Sequence, residues 1–119
     1  MSQLPLALLG RIDGPSVVPN SAVRSVETYR DAVRSSWVHR RSQGMTKATL
    51  AELAGMYPSH VTDYLCDTDT DSKGRERRDM PAKYIRDFEA ITGNTFVSQF
   101  IAHQSKLTIL ETMLMQAAA

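Results

Sequence analysis

A single cysteine, Cys66, stands among the 119 residues. One thiol cannot form an intramolecular disulfide, and it cannot supply the thiolates of an ordinary four-ligand zinc site. A reducing cytosol is the compartment this usage suits. Charge of either sign is also without surplus: the formal net charge is +1, so affinity for a polyanion has to rest on local asymmetry rather than on bulk attraction. Long hydrophobic runs are missing, and nothing approaches the roughly 20 apolar residues of a membrane span. The short apolar stretch from Leu4 to Leu9 has no preceding Lys or Arg, is interrupted by Pro5 and ends at Gly10, unlike a signal peptide. A soluble, cytoplasmic chain without a membrane partner is expected.

Catalytic patterns are equally sparse. Serines are plentiful, but no Ser-His-Asp order or nucleophile elbow emerges. His39, His60 and His103 lack carboxylate or cysteine partners at ligand spacing, so no metal and no cofactor is expected. Residues 67–78, DTDTDSKGRERR, open like a calcium loop with Asp67, Asp69 and Asp71 at the first three ligand positions. Ser72 then stands where the tight-turn glycine belongs and Arg78 where the bidentate glutamate must be. The segment reads as a solvated polar loop, and the chain does not read as an enzyme.

What is present is helical. With 42% hydrophobic residues, the length allows one domain around one modest core. Residues 1–20 carry Pro5, Gly10, Gly14, Pro15 and Pro19 and are expected to form a flexible arm. From Ser21 the apolar residues Val26, Tyr29, Val33 and Trp37 recur at three and four, which predicts one long amphipathic helix stopping near Gly44. Thr46 can cap a second helix ending at Ala54, and Pro58 suits the first turn of a third. Asp79 and Pro81 introduce a fourth, with Tyr84, Ile85, Phe88 and Ile91 inward and Gly93 at its end. Asn94 or Thr95 caps a fifth, carrying Phe96, Val97, Phe100, Ile101 and Gln104 along one side. Beyond Lys106 the pattern leaves two forms open: LTIL suits an extended segment, ETMLMQAAA a helix. The fold class is all-α, a compact bundle of about five helices.

The densest information lies in residues 47–66, KATLAELAGMYPSHVTDYLC. Leu50, Ala51 and Ala54 make one short apolar face, and Val61, Tyr64 and Leu65 begin another. Gly55 between them permits the positive φ of a sharp corner, and Ala51 is small where a second helix would cross. Basic residues bracket the unit: Arg40, Arg41 and Lys47 before it, Lys73, Arg75, Arg77 and Arg78 after it.

This segment resembles the helix-turn-helix of the lambda-repressor and Cro superfamily, and GMYPSHV looks like the turn of phage Cro-type regulators. The residues from Pro81 onward are similar to small phage regulators of the CII and Cro-like kind. The resemblance implies a sequence-specific transcriptional regulator of phage or prophage type, with residues 21–106 as the DNA-binding domain and the helix at 58–65 in the major groove. Tyr57, Pro58, Ser59, His60, Thr62 and Asp63 would then face bases, with Asp63, unfavourable near phosphates, paired either with a cytosine amine or with an arginine. Pro58 departs from the family, many members of which place there a glutamine that contacts adenine. The seven bracketing cations would meet phosphates.

Useful specificity from so short a helix needs two half-sites, hence a homodimer or higher homo-oligomer on a double-stranded DNA operator. The apolar segment 107–119 is the candidate for its assembly, through Leu107, Ile109, Leu110, Met113 and Leu114; folding back onto its own core is the alternative. Contact with RNA polymerase or a repressor is a further expectation. The rival reading is a protein-interaction module on the same scaffold, an antirepressor or adaptor, which the near-zero net charge, Pro58 and Asp63 favour.

Overall fold

A computed structural model describes residues 14–118, with Leu107 described in its backbone alone. Six α-helices form among the described residues: α1 Asn20–Arg24, α2 Tyr29–Val38, α3 Lys47–Ala54, α4 Pro58–Tyr64, α5 Ile85–Thr92 and α6 Phe96–Ala118, with a 3-10 turn at Ala82–Tyr84 leading into α5. Among the described residues there are no strands, only isolated bridges pairing Ser16 with Asn94 and Thr70 with Glu76.

The long first helix expected from Ser21 is two helices. Thr28 breaks it: its hydroxyl accepts from the amide of Asp31 at 3.1 Å, an N-cap that starts a new helix, while Ser25 closes α1 by donating to the carbonyl of Ala22. The second helix also stops earlier than Gly44. Arg40 ends it by donating to the carbonyls of Trp37, Gln43 and Met45, three acceptors that a continuing helix would have used itself.

At the other end, Phe96–Ala118 is one uninterrupted helix of 23 residues, so LTIL is helical and neither extended nor a boundary. Its first turn is held by Glu89, buried at 5% exposure. Both carboxylate oxygens accept from Ser98, one from the amide at 2.8 Å and one from the hydroxyl at 2.6 Å.

Two buried clusters hold the bundle. The larger joins Val33 and Trp37 of α2 to Leu50, Ala51 and Ala54 of α3, Val61 and Tyr64 of α4, and Phe88 of α5. The smaller packs Val23 and Ala32 against Phe96 and Phe100. Of the fourth helix's predicted inward row only Phe88 is fully buried; Tyr84, Ile85 and Ile91 pack half-buried around it. Ile101 stays 39% exposed, outside the row of Phe96, Val97 and Phe100. Tyr29 ties α2 to the chain before α5 by donating to the carbonyl of Met80. Burial, then the negative charges of Asp79 and Glu89, pushes its phenol up to about 12, so it keeps that proton at any ordinary pH.

The end of the expected flexible arm is strapped down. Ser16 donates its amide to Gly93 and accepts from Thr95, while Val18 exchanges two hydrogen bonds of 2.9 Å with the Gln99 amide. The side chain recovers the pairing that Pro15 and Pro19 deny to regular structure. The rest of the arm, residues 1–13, lies outside the described residues.

Candidate nucleic-acid interface

The corner between α3 and α4 is built from local signals. Thr46 caps α3, accepting from the amide of Thr49 at 3.2 Å, and Gly55 ends it with φ 70 and ψ 30, a left-handed C-cap. Met56, buried at 6% exposure, plugs the corner and donates its amide to Ala51. Pro58 then occupies the first turn of α4, where a missing N–H removes no bond.

Helical period fixes what α4 shows to solvent. Val61, Tyr64 and Leu65 are buried against the core, so Ser59 and Asp63, one turn apart, sit on the opposite side with Pro58 and Thr62 on their flank. Tyr57 at the N-cap is 69% exposed, and Pro58, Ser59 and Thr62 are exposed with it. His60 belongs elsewhere. Its ring is half-buried, in edge contact with Tyr57 at 5.0 Å and Tyr64 at 6.3 Å, which places it on the side of the helix rather than in the outward row.

Asp63 takes the arginine pairing of its two expected ones. It stands in the middle of the outward side, and each oxygen of its carboxylate already accepts from an arginine. Arg77 donates to one oxygen at 3.2 Å and Arg78 to the other at 2.9 Å. Burial works to raise the carboxyl, but the hydrogen bonds from Arg78 and Arg77 outweigh it and hold Asp63 below the usual carboxylate range. The residue is a fully ionised anchor for the loop that follows α4.

That loop has an internal order its composition hides. Asp71 accepts from the amides of Lys73 and Arg75 at 2.8 and 2.9 Å and from the Arg75 side chain at 3.1 Å. Gly74, at φ 79, completes the turn. Hydrogen bonds from the Arg75 backbone, followed by that of Lys73 and the Arg75 side chain, hold the Asp71 carboxyl below its ordinary value. Asp71 is thereby a turn residue, and among the described residues no three His, Cys, Asp or Glu side chains converge on a metal position. Arg77 also donates to the carbonyl of Thr70 at 3.2 Å.

Beneath the loop lies a side chain that nothing in the sequence pattern singles out. Arg30 is 8% exposed. It donates to the carbonyls of Asp63, Cys66, Arg77 and Arg78 and to the carboxylate of Asp79. One guanidinium therefore holds the end of α4 and both ends of the return path in a fixed relation. The helical period of α2 could not reveal it, because every partner lies more than 30 residues away.

The predicted phosphate contacts separate into two kinds. Arg40 lies over the Trp37 ring at 4.1 Å with its nitrogens on backbone carbonyls, and Arg41 donates to the carbonyls of Gly14 and Gly93. Both are structural braces, committed because the chain's turns leave carbonyls that need donors. Lys47 and Lys73 are exposed, and Arg75 and Arg78 are exposed with one carboxylate partner each. Arg77 is largely covered at 19% exposure.

Cys66 is half-buried beside the loop. Its hydrogen bonds with the Thr68 side chain and backbone lower its thiol below the ordinary value, a local influence absent from the sequence pattern.

At the far end of the molecule, Ile109, Leu110, Met113, Leu114 and Met115 are 44 to 74% exposed along the distal half of α6. They do not fold back onto the core. Leu107's side chain lies outside the described residues. No helix among the described residues is long and apolar enough to cross a membrane. No family model, curated protein or solved structure matches the chain.

Proposed function

We propose that this protein is a sequence-specific double-stranded DNA-binding regulator of transcription, of the phage or prophage type its central motif resembles, acting in the bacterial cytosol. The observation that carries the reading is the outward row of α4. Tyr57, Pro58, Ser59 and Thr62 stand exposed together at the start of a helix that a tight glycine corner and a buried arginine hold rigid. A major groove takes one such helix, with its first residues against base edges. Lys47, Lys73 and Arg75 supply exposed cations around it for phosphates.

Selection from a random duplex pool, with affinities measured at two salt concentrations, tests the reading. An enriched motif bound more tightly than scrambled DNA, with affinity falling steeply as salt rises, is the expected result. Replacing Ser59→Ala with Thr62→Ala together should then reduce the preference for that motif by about tenfold or more, the scale of one or two lost base contacts, while leaving binding to random duplex nearly unchanged. Equal losses on both would overturn the placing of α4 in the groove.

We also propose that the distal half of α6 assembles two or more copies. Its exposed apolar side chains form the kind of contiguous patch that soluble monomers rarely leave uncovered. Truncation after Lys106 is expected to lower the mass seen by light scattering to that of a monomer with little change in melting temperature. The described side chains it removes are all exposed, so none of them is taken from the core.

A second reading has one observation in its favour. Leu53 and Tyr57 are 61 and 69% exposed on either side of the α3–α4 corner, an apolar pair suited to a protein surface. An adaptor working through it would show no enriched duplex and little salt dependence.

A further inference from the structure

We infer that Arg78, although it lies in the loop and not on α4, is a base-reading side chain that Asp63 presents to guanine. This rests on the reading of α4 as a groove-entering helix and names a determinant of its specificity. Asp63 and Ser59 form the outward centre of α4, and the loop residues Asp71, Arg75, Glu76 and Arg78 make the opposite wall of a shallow polar groove beside them. The carboxylate alone would be poorly placed against DNA, since it would repel phosphates. Two guanidinium groups reverse that sign locally: Arg77 and Arg78 share one carboxylate, so the trio they form with Asp63 is net positive.

The two arginines are not equivalent. Arg77 is covered and is also tied to Thr70, so it serves as the clamp. Arg78 is 59% exposed, and among the described residues its side chain makes a single hydrogen bond, from Nη1 to Asp63 Oδ2. A guanidinium carries five N–H donors in a planar fork. Engaging Nη1 restricts the plane and leaves the Nε–Nη2 edge, two parallel donors, without a partner among the described residues. That edge matches the paired O6 and N7 acceptors of guanine in the major groove. Fixing the side chain on Asp63 before DNA arrives also removes part of the rotamer entropy that a free surface arginine would lose on binding. The loop thereby contributes to the reading surface what Pro58 cannot, since proline has no donor to offer a base.

The test takes the duplex enriched by the full-length protein and measures affinity for all single-base substitutions of it, using wild type, Arg78→Ala, Arg78→Lys and Asp63→Asn. The inference predicts one position per half-site at which guanine is preferred roughly five- to a hundredfold. Arg78→Ala and Arg78→Lys should flatten that position and no other. Asp63→Asn should weaken the same preference, and add little once Arg78 is already alanine. Arg78 is exposed enough that its variants should melt as wild type does, which excludes misfolding as the cause. A uniform loss at every sequence, with a salt slope lower by about one, would make Arg78 a phosphate contact and overturn the inference while leaving the function standing. An unchanged substitution profile would overturn it in the same way. A wild-type protein that enriches no duplex would overturn both.

Discussion

Replacing Gly93→Ala is expected to destabilise the protein by about 2–5 kcal/mol, lowering the melting temperature by roughly 10 °C or more for a domain this size. Gly93 ends α5 at φ 85 and ψ 14, a conformation that costs an L-residue about 1–2 kcal/mol. The larger part is steric. A Cβ at this position would stand 2.9 Å from Arg41 Cβ and 2.9 Å from Arg41 Nε, and Arg41 has nowhere to retreat. Its amide donates to Thr92 at 2.7 Å and its guanidinium to Gly14 and Gly93. Any shift also strains a buried polar knot: Ser36 donates to Asn94 at 2.7 Å and lies 3.1 Å from the Thr92 hydroxyl.

The control is Gly55→Ala. That glycine has φ 70 but nothing within 4 Å of an added Cβ, so only the backbone term of about 1–2 kcal/mol applies. Thermal melts of the two variants side by side measure the contact with Arg41 as their difference. Equal losses would show that Arg41 does not pack on Gly93.

The features that sequence reasoning located correctly share a short range. The Thr46 cap, the left-handed Gly55, the N-terminal Pro58 and the stop at Gly93 each act within four residues, so the local pattern contains both partners of the interaction. The break at Thr28 is local too. It stays hidden because the apolar period of Val26, Tyr29, Val33 and Trp37 runs unbroken across it, and a period reports a face without reporting a helix end. What could not be read off the pattern is which charges are committed. Arg40, Arg41, Arg75 and Arg78 look alike in sequence. Two of them brace carbonyls while two pair with carboxylates, and the difference depends on which carbonyls the folded chain leaves without donors. Which of its two expected pairings Asp63 takes was hidden for the same reason: its partners arrive from a loop 14 and 15 residues on. The all-α architecture was legible, whereas the continuity of α6 was not, because Thr108 and Ile109 are β-branched and propensity gives way once a preceding helix supplies the register.

Arg30 connects the core to the proposed reading surface, and its loss should be felt in both. Arg30→Ala is expected to cost about 3–5 kcal/mol, since several carbonyls lose a charged donor at about 1–3 kcal/mol each. It would leave the carbonyls of Asp63, Cys66, Arg77 and Arg78 without this donor. Arg30→Lys should recover little of it. An ammonium is one compact point with three donors, whereas these acceptors are spread around a planar fork. The loss should also be spatially specific. Asp71 and its turn satisfy themselves, so the loop keeps its local form but loses its attachment beneath α4. Amide exchange at residues 63–79 should accelerate well beyond that of α2 and α6 under conditions where the variant remains folded. If Arg78 reads a base, the same variant should lose sequence preference at the guanine position before it loses general affinity for duplex, because phosphates tolerate a mobile guanidinium and a bidentate edge does not. Uniform exchange across the whole domain would instead mean that Arg30 supports the core alone, with no privileged connection to the loop.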